Sequence, residues 1–139
     1  MDRETIIAFI KTHTHCVLAT VTKDGNPEAA IIEYVANDKG EIIFDTSTDY
    51  RKYKNLLNNQ HIAIAIGSGE ENKGVQCEGI ASLLQGEELI EAKKIYFAKR
   101  PEAKKWESDP TTIYFKVIPT WLRMRDYTTD PMMETEYLV

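Results

Sequence analysis

In the stretch FDTSTDYRKYKNLLNN, residues 44–59, three hydroxyl-bearing residues, Thr46, Ser47 and Thr48, are followed closely by the basic pair Arg51 and Lys52. Hydroxyls donate hydrogen bonds to anions, and an arginine fork meets two phosphate oxygens at once. A helix over Tyr50–Asn58 would begin beside them, with free backbone N–H groups and the positive end of its dipole facing the same spot. The three contributions converge on an anion of phosphate size. A threonine-capped helix with a solvated basic face shows the same pattern, and spacing leaves both readings open. The chain carries 17 basic and 22 acidic residues, a formal charge of −5. Its overall field repels nucleic-acid backbones, so any anion site is local.

Other reactive residue types are sparse. No nucleophile elbow, glycine-rich phosphate loop, two-histidine zinc helix or paired-cysteine motif occurs, so hydrolase, kinase and zinc-enzyme readings have nothing to stand on. An enzyme of this composition would draw its reactivity from a bound cofactor and supply position and electrostatics itself. Cys16 and Cys77 lie in apolar alternating segments, where small buried thiols are expected rather than a disulfide or metal ligands. His13 and His15 are two apart and could share a face to bind a metal or haem, but such a pair is commonly structural or solvated and is assigned no role. Trp121, Arg123 and Arg125 share one face of a strand; they either rim a pocket for an acidic substrate or pair with surface carboxylates, and the second is expected.

The elements that must position these residues follow from periodicity. Asp2 to Thr12 reads as a helix capped by Asp2, with Ile6, Ile7, Phe9 and Ile10 as its apolar stripe. HCVLATVT and PEAAIIEYVA read as strands about a turn at Asp24-Gly25, and the turn NDKG leads into a third strand, EIIFDT. A three-stranded antiparallel meander is therefore expected. In the helix from Tyr50, Tyr53, Leu56 and Leu57 form the inward face, with Thr48 or Asp49 as its cap. HIAIAIG and VQCEGIASLLQ are strands joined by the polar loop SGEENKG, and Glu87–Lys99 is a helix with Leu89, Ala92 and Tyr96 inward. Pro101 stops that helix or starts a short turn. TIYFKVIPTWLRMRDY supplies one or two strands, broken or bulged at Pro119. The sum is a mainly β chain of six or seven strands with two or three inserted helices, one domain over residues 1–139. No apolar run reaches the roughly 20 residues of a membrane span, and no export signal stands at the start, so a cytoplasmic protein without a membrane partner is expected.

The order of strand, threonine, Arg-Lys pair, leucine-bearing helix and HIAIAIG resembles the pyridoxamine 5′-phosphate oxidase-like flavin proteins. The likeness runs from HCVLATVTKDGNPEAA through VQCEGIASLL to YFKVIPTWLRMRDY, which is most of the chain. It implies a split antiparallel β-barrel of the FMN-binding type, with Arg51 and Lys52 on the FMN phosphate and Thr46 and Ser47 beside them. It further implies that the strand Ala29–Tyr34, including Ile31, Ile32 and Tyr34, presents its backbone to the isoalloxazine ring. A second copy would close the pocket, since members are typically homodimers. Trp106 then either stacks near the flavin or plugs a barrel end or dimer seam. Where some relatives carry an arginine this chain has Ala29 and Ala30, and DPMMETEYLV lacks the arginine-and-histidine motif of the oxidase proper, so vitamin B6 synthesis is not expected.

The resemblance implies an FMN-dependent oxidoreductase that passes electrons or hydride between reduced nicotinamide or deazaflavin and a small organic acceptor. The alternative is a non-catalytic module of the same fold that holds flavin or haem. An oligonucleotide-binding barrel is disfavoured by the acidic charge and by the lack of aromatic residues interleaved with basic ones. Substrate choice would rest with SGEENKG and Ala98–Pro110.

Overall fold

The computed structural model describes the backbone of all 139 residues and every side chain except that of Ser68. Helix α1 (Arg3–Thr12) begins where its cap dictates: the Asp2 carboxylate accepts from the Thr5 N–H at 2.9 Å. Its Ile6 and Ile10 enter the main core. Strands β1 (His15–Val21) and β2 (Pro27–Glu33) form a hairpin, and its turn uses Gly25 at φ +85°, a region open to glycine. After β3 (Val35–Ala36) and β4 (Ile42–Ser47) come α2 (Arg51–Asn58), β5 (His61–Ser68) and β6 (Lys73–Leu83). The chain ends with α3 (Gly86–Lys99), a 3-10 helix (Pro101–Trp106), β7 (Thr112–Asp126) and β8 (Met133–Leu138). The sheet has eight strands, one more than the sequence count allowed, because the tail forms β8 along β7.

The pairing order is β2-β1-β5-β6-β7-β4-β3, with all neighbours antiparallel. The expected three-stranded meander is not formed. β2 and β3 stand at opposite ends of this order, although only Tyr34 separates them in sequence. Tyr34, Val35 and Ala36 are all buried. Tyr34 and Ala36 face the main core and Val35 faces the cluster beneath α3, so side-chain alternation continues through the corner and both faces of the chain are covered there. The Tyr34 hydroxyl donates to the Ile10 carbonyl at 2.6 Å and pins the corner to α1. A sheet whose terminal strands are joined by one residue must curl until its edges meet. The result is a barrel closed by covalent chain at one place and split elsewhere.

The alternating strands send Leu18, Ile32, Phe44, Ile64, Val75 and Phe115 into the barrel core. A second cluster, around Ile43, Tyr96 and Tyr114, packs α3 against the outside of β4 and β7. β7 runs unbroken through Pro119: a register shift opposite Glu78 and Gly79 leaves Thr120 as the extra residue of a bulge. In α2, Leu56 is buried as expected but Leu57 is 60% exposed. The inward place beside Leu56 goes to Asn55, whose Nδ2 bonds Thr20 Oγ1 at 3.0 Å and Glu28 Oε1 at 2.8 Å. Polar partners on β1 and β2 thus override the apolar period. Among the described residues no helix is long and apolar enough to cross a membrane.

Candidate functional site

The split leaves two strand edges unpaired. β2 is the terminal strand and lacks a neighbour on one side, and β3 pairs with β4 only at Ile42 and Ile43, so the rest of β4 is bare on that side. Between these edges lies a cleft of about 590 Å³, lined by Ile31, Ile32 and Glu33 from β2 and Asp45, Thr46 and Ser47 from β4. Lys52 at the start of α2 and Trp106 from the 3-10 helix also line it, together with Asp49, Tyr50, Arg100 and Asp109. A second lobe of about 310 Å³ shares Asp49, Tyr50 and Lys52 with it and adds Arg51, Ala29 and Ala30.

Six of the eight residues singled out in the sequence therefore line one cleft: Thr46, Ser47, Ile31, Ile32, Lys52 and Trp106. Arg51 lies in the adjoining lobe, 81% exposed in its side chain and paired with Glu28 at 2.7 Å. Tyr34 is not brought to the cleft; its ring is in the core and its hydroxyl is engaged by α1. The Ser47 hydroxyl is committed to the turn, donating to Thr111 Oγ1 at 3.0 Å and accepting from the Asp49 N–H at 3.1 Å. Neither Thr48 nor Asp49 caps α2. The N-cap is Tyr50, which makes no side-chain cap hydrogen bond, so the helix start lacks a side-chain cap from that residue.

Two features of the cleft suit an anionic ligand with a polar ring. Thr46 Oγ1 is buried and has no hydrogen-bond partner among the described residues, a condition that costs free energy until an acceptor or donor arrives. Lys52 is held below its usual pKa, first by burial and then by the neighbouring Arg51 cation; an anion beside it would favour the charged form and so oppose both. Tyr114 Oη is also orphaned, but it belongs to the α3 cluster. The Asp45 carboxyl is pushed up by burial, against an opposing hydrogen bond from Tyr96 at 2.9 Å.

Sequence reasoning missed Glu33, Asp45 and Arg100, all of which line the cleft. Arg100 carried a faint signal, a cation just past a helix end and before Pro101. Elsewhere, Arg123 and Arg125 pair with Glu136 and Glu134 on β8, the second of the two options the sequence left. His13 lies 2.7 Å from Glu71 and His15 lies 3.3 Å from Glu33, so the two rings serve different partners. Both cysteines are buried, with thiols pushed up to about 12 by burial.

Comparison with known proteins agrees with this architecture. A pyridoxine/pyridoxamine 5′-phosphate oxidase of Bacteroides thetaiotaomicron is 30% identical over 99 residues, covering 71% of this chain and 45% of that protein. The chain spans about half the length, or less, of the curated relatives it matches. A haem-binding protein of Mycobacterium smegmatis superposes with a TM-score of 0.81 at 22% identity, over 95% of this chain and 56% of that one. An FAD-binding protein of Mesorhizobium loti gives 0.73 at 16% identity, over 89% and 92%. At these identities the two structures share the fold. The pyridoxamine 5′-phosphate oxidase family matches residues 3–126, and the split antiparallel barrel lies almost wholly within that match: this chain belongs to that family.

Proposed function

We propose that this protein binds FMN in the cleft between β2 and β4 and acts as a homodimeric oxidoreductase. The single observation that carries the reading is the buried, partnerless Thr46 hydroxyl in a cleft that also holds the uncapped start of α2 and the desolvated Lys52. Lys52 and the α2 N–H groups take the phosphate, with Arg51 reaching in from the adjoining lobe where Glu28 holds it. The bare edge of β2 offers backbone N–H and C=O groups to a flat heterocycle, and Trp106 forms a wall. When bound, FMN supplies hydride and single-electron transfer between a reduced nicotinamide or deazaflavin and a small organic acceptor.

A second copy has a surface to meet. Val17, Ala29, Ile31, Ala63 and Ala65 are exposed on adjacent strands and are cross-strand partners or near neighbours. Ile31, 76% exposed, belongs both to this apolar face and to the cleft. A partner docked there would cover the apolar face and exclude water from the ligand. The relatives named as oxidases and the FAD-binding neighbour support flavin; the haem-binding neighbour makes a non-catalytic haem or flavin carrier the competing outcome.

One spectrophotometric series tests the reading. Purified protein mixed with FMN should develop a perturbed flavin spectrum that bleaches under reduced nicotinamide without oxygen. Lys52→Gln should weaken FMN binding by about 1.5–3 kcal/mol, the range for a hydrogen bond to a charged group. Protein that leaves the flavin spectrum unperturbed and retains no flavin after gel filtration from micromolar FMN would sink the proposal, and a Soret band with haem would move it to the carrier reading.

A further inference from the structure

β2 and β4 are bridged through a single chain of polar contacts, although among the described residues no hydrogen bond or ion pair joins these strands directly. Glu33, at the end of β2, pairs with Arg100, the C-cap residue of α3. Arg100 Nη1 donates to the Tyr96 hydroxyl, which donates in turn to Asp45 Oδ1 of β4 at 2.9 Å. The guanidinium also lies over the Tyr96 ring, 5.1 Å from its centroid, and its Nε is 3.3 Å from Glu102. The Arg100 side chain is only 12% exposed and Tyr96 is fully buried, so water is a poor substitute for either partner. A planar fork with five donors spread over three nitrogens holds a carboxylate and a hydroxyl in fixed directions, whereas an ammonium gathers its three donors on one atom and fixes no such plane.

We propose that Arg100 is a positioning residue that fixes the spacing between the two strand edges and thereby how firmly a ligand between them is held. The proposal rests on the reading that FMN occupies this cleft, since Glu33, Asp45 and Arg100 all line it. Arg100 need not touch the ligand. Its action runs through Glu33 on one wall and, by way of Tyr96, through Asp45 on the other.

The test uses the full chain titrated with FMN, following flavin fluorescence for affinity and time-resolved anisotropy for the freedom of the bound ring. Arg100→Gln cuts the chain at its centre. Glu33→Gln releases the β2 end, together with the His15 contact on β1, at a side chain 46% exposed, and so guards against a folding defect. Each substitution should weaken FMN binding about tenfold, and the double variant should be no weaker than Arg100→Gln, because linked groups are not additive. Both single variants should show a fast anisotropy component that wild type lacks. Arg100→Lys should recover only part of the affinity. Folded variants with wild-type affinity and anisotropy, or effects that sum in the double variant, would overturn the proposal. Hydrogen exchange without ligand separates the two readings. Faster exchange of β2 amides in Arg100→Gln supports the strap even where wild type fails to bind FMN, and unchanged exchange there rejects it.

Discussion

Asp45 shows what the cleft demands of a single residue. Burial raises its folded-state pKa above the ordinary value of 3.8, so the folded state binds more protons than the unfolded chain above that pH. Stability must then fall as pH rises from 3.8 through the raised value. Asp45→Asn keeps an oxygen to accept from Tyr96 and removes the titration. Urea melts should therefore show the variant gaining on wild type as pH climbs from acid to neutral; a gap that does not change with pH would contradict the assignment. Part of this site was legible in the sequence because its members are consecutive. Thr46, Ser47 and Lys52 fall on one strand end and the helix after it, where hydroxyl and charge can be read directly. Asp45 was not, since its partner Tyr96 is 51 positions away and only the packing of α3 on β4 brings them together. Arg51 was read correctly as a cation at the helix start, but the competing claim of Glu28 comes from the neighbouring hairpin.

Elements were legible wherever a local period decides them. Helices α1 and α3 have the apolar positions their sequences implied, and the first two hairpin turns lie where Gly25 and Gly40 allow a positive φ. The failures came where two locally satisfied segments had to choose partners: the hairpins on either side of Tyr34 are sound, and nothing within them says that they part to opposite edges. Leu57 was placed inward by its period, but Asn55 won the place through bonds to Thr20 and Glu28. The bulge in β7 offers a test at this scale. An added Cβ at Gly79 would sit 2.7 Å from the Ile118 carbonyl oxygen and 2.8 Å from Val117 Cγ1, inside van der Waals contact on a rigid backbone. Gly79→Ala should cost about 1–3 kcal/mol, the range for overpacking, read as a lowered denaturation midpoint. An unchanged midpoint would mean that the bulge is slack.

For the whole molecule the chief expectation concerns assembly. Val17 is 39% exposed at the centre of the apolar face and pairs across strands with Ile31 and Ala65. Val17→Lys places a charge where a partner would have to desolvate it. Light scattering should show wild type as a dimer and the variant as a monomer with weakened FMN retention; a wild-type monomer that binds FMN would remove the partner from the proposal. The corner at Tyr34 bears on all of this. Its two flanking strands are sequence neighbours, so bringing the lips of the seam together closes no long loop and costs little chain entropy. The lips are arranged like the jaws of a clothes peg about one pivot: β2 and β4 lead away from it on either side of the cleft, each backed by its own hydrogen-bonded neighbour.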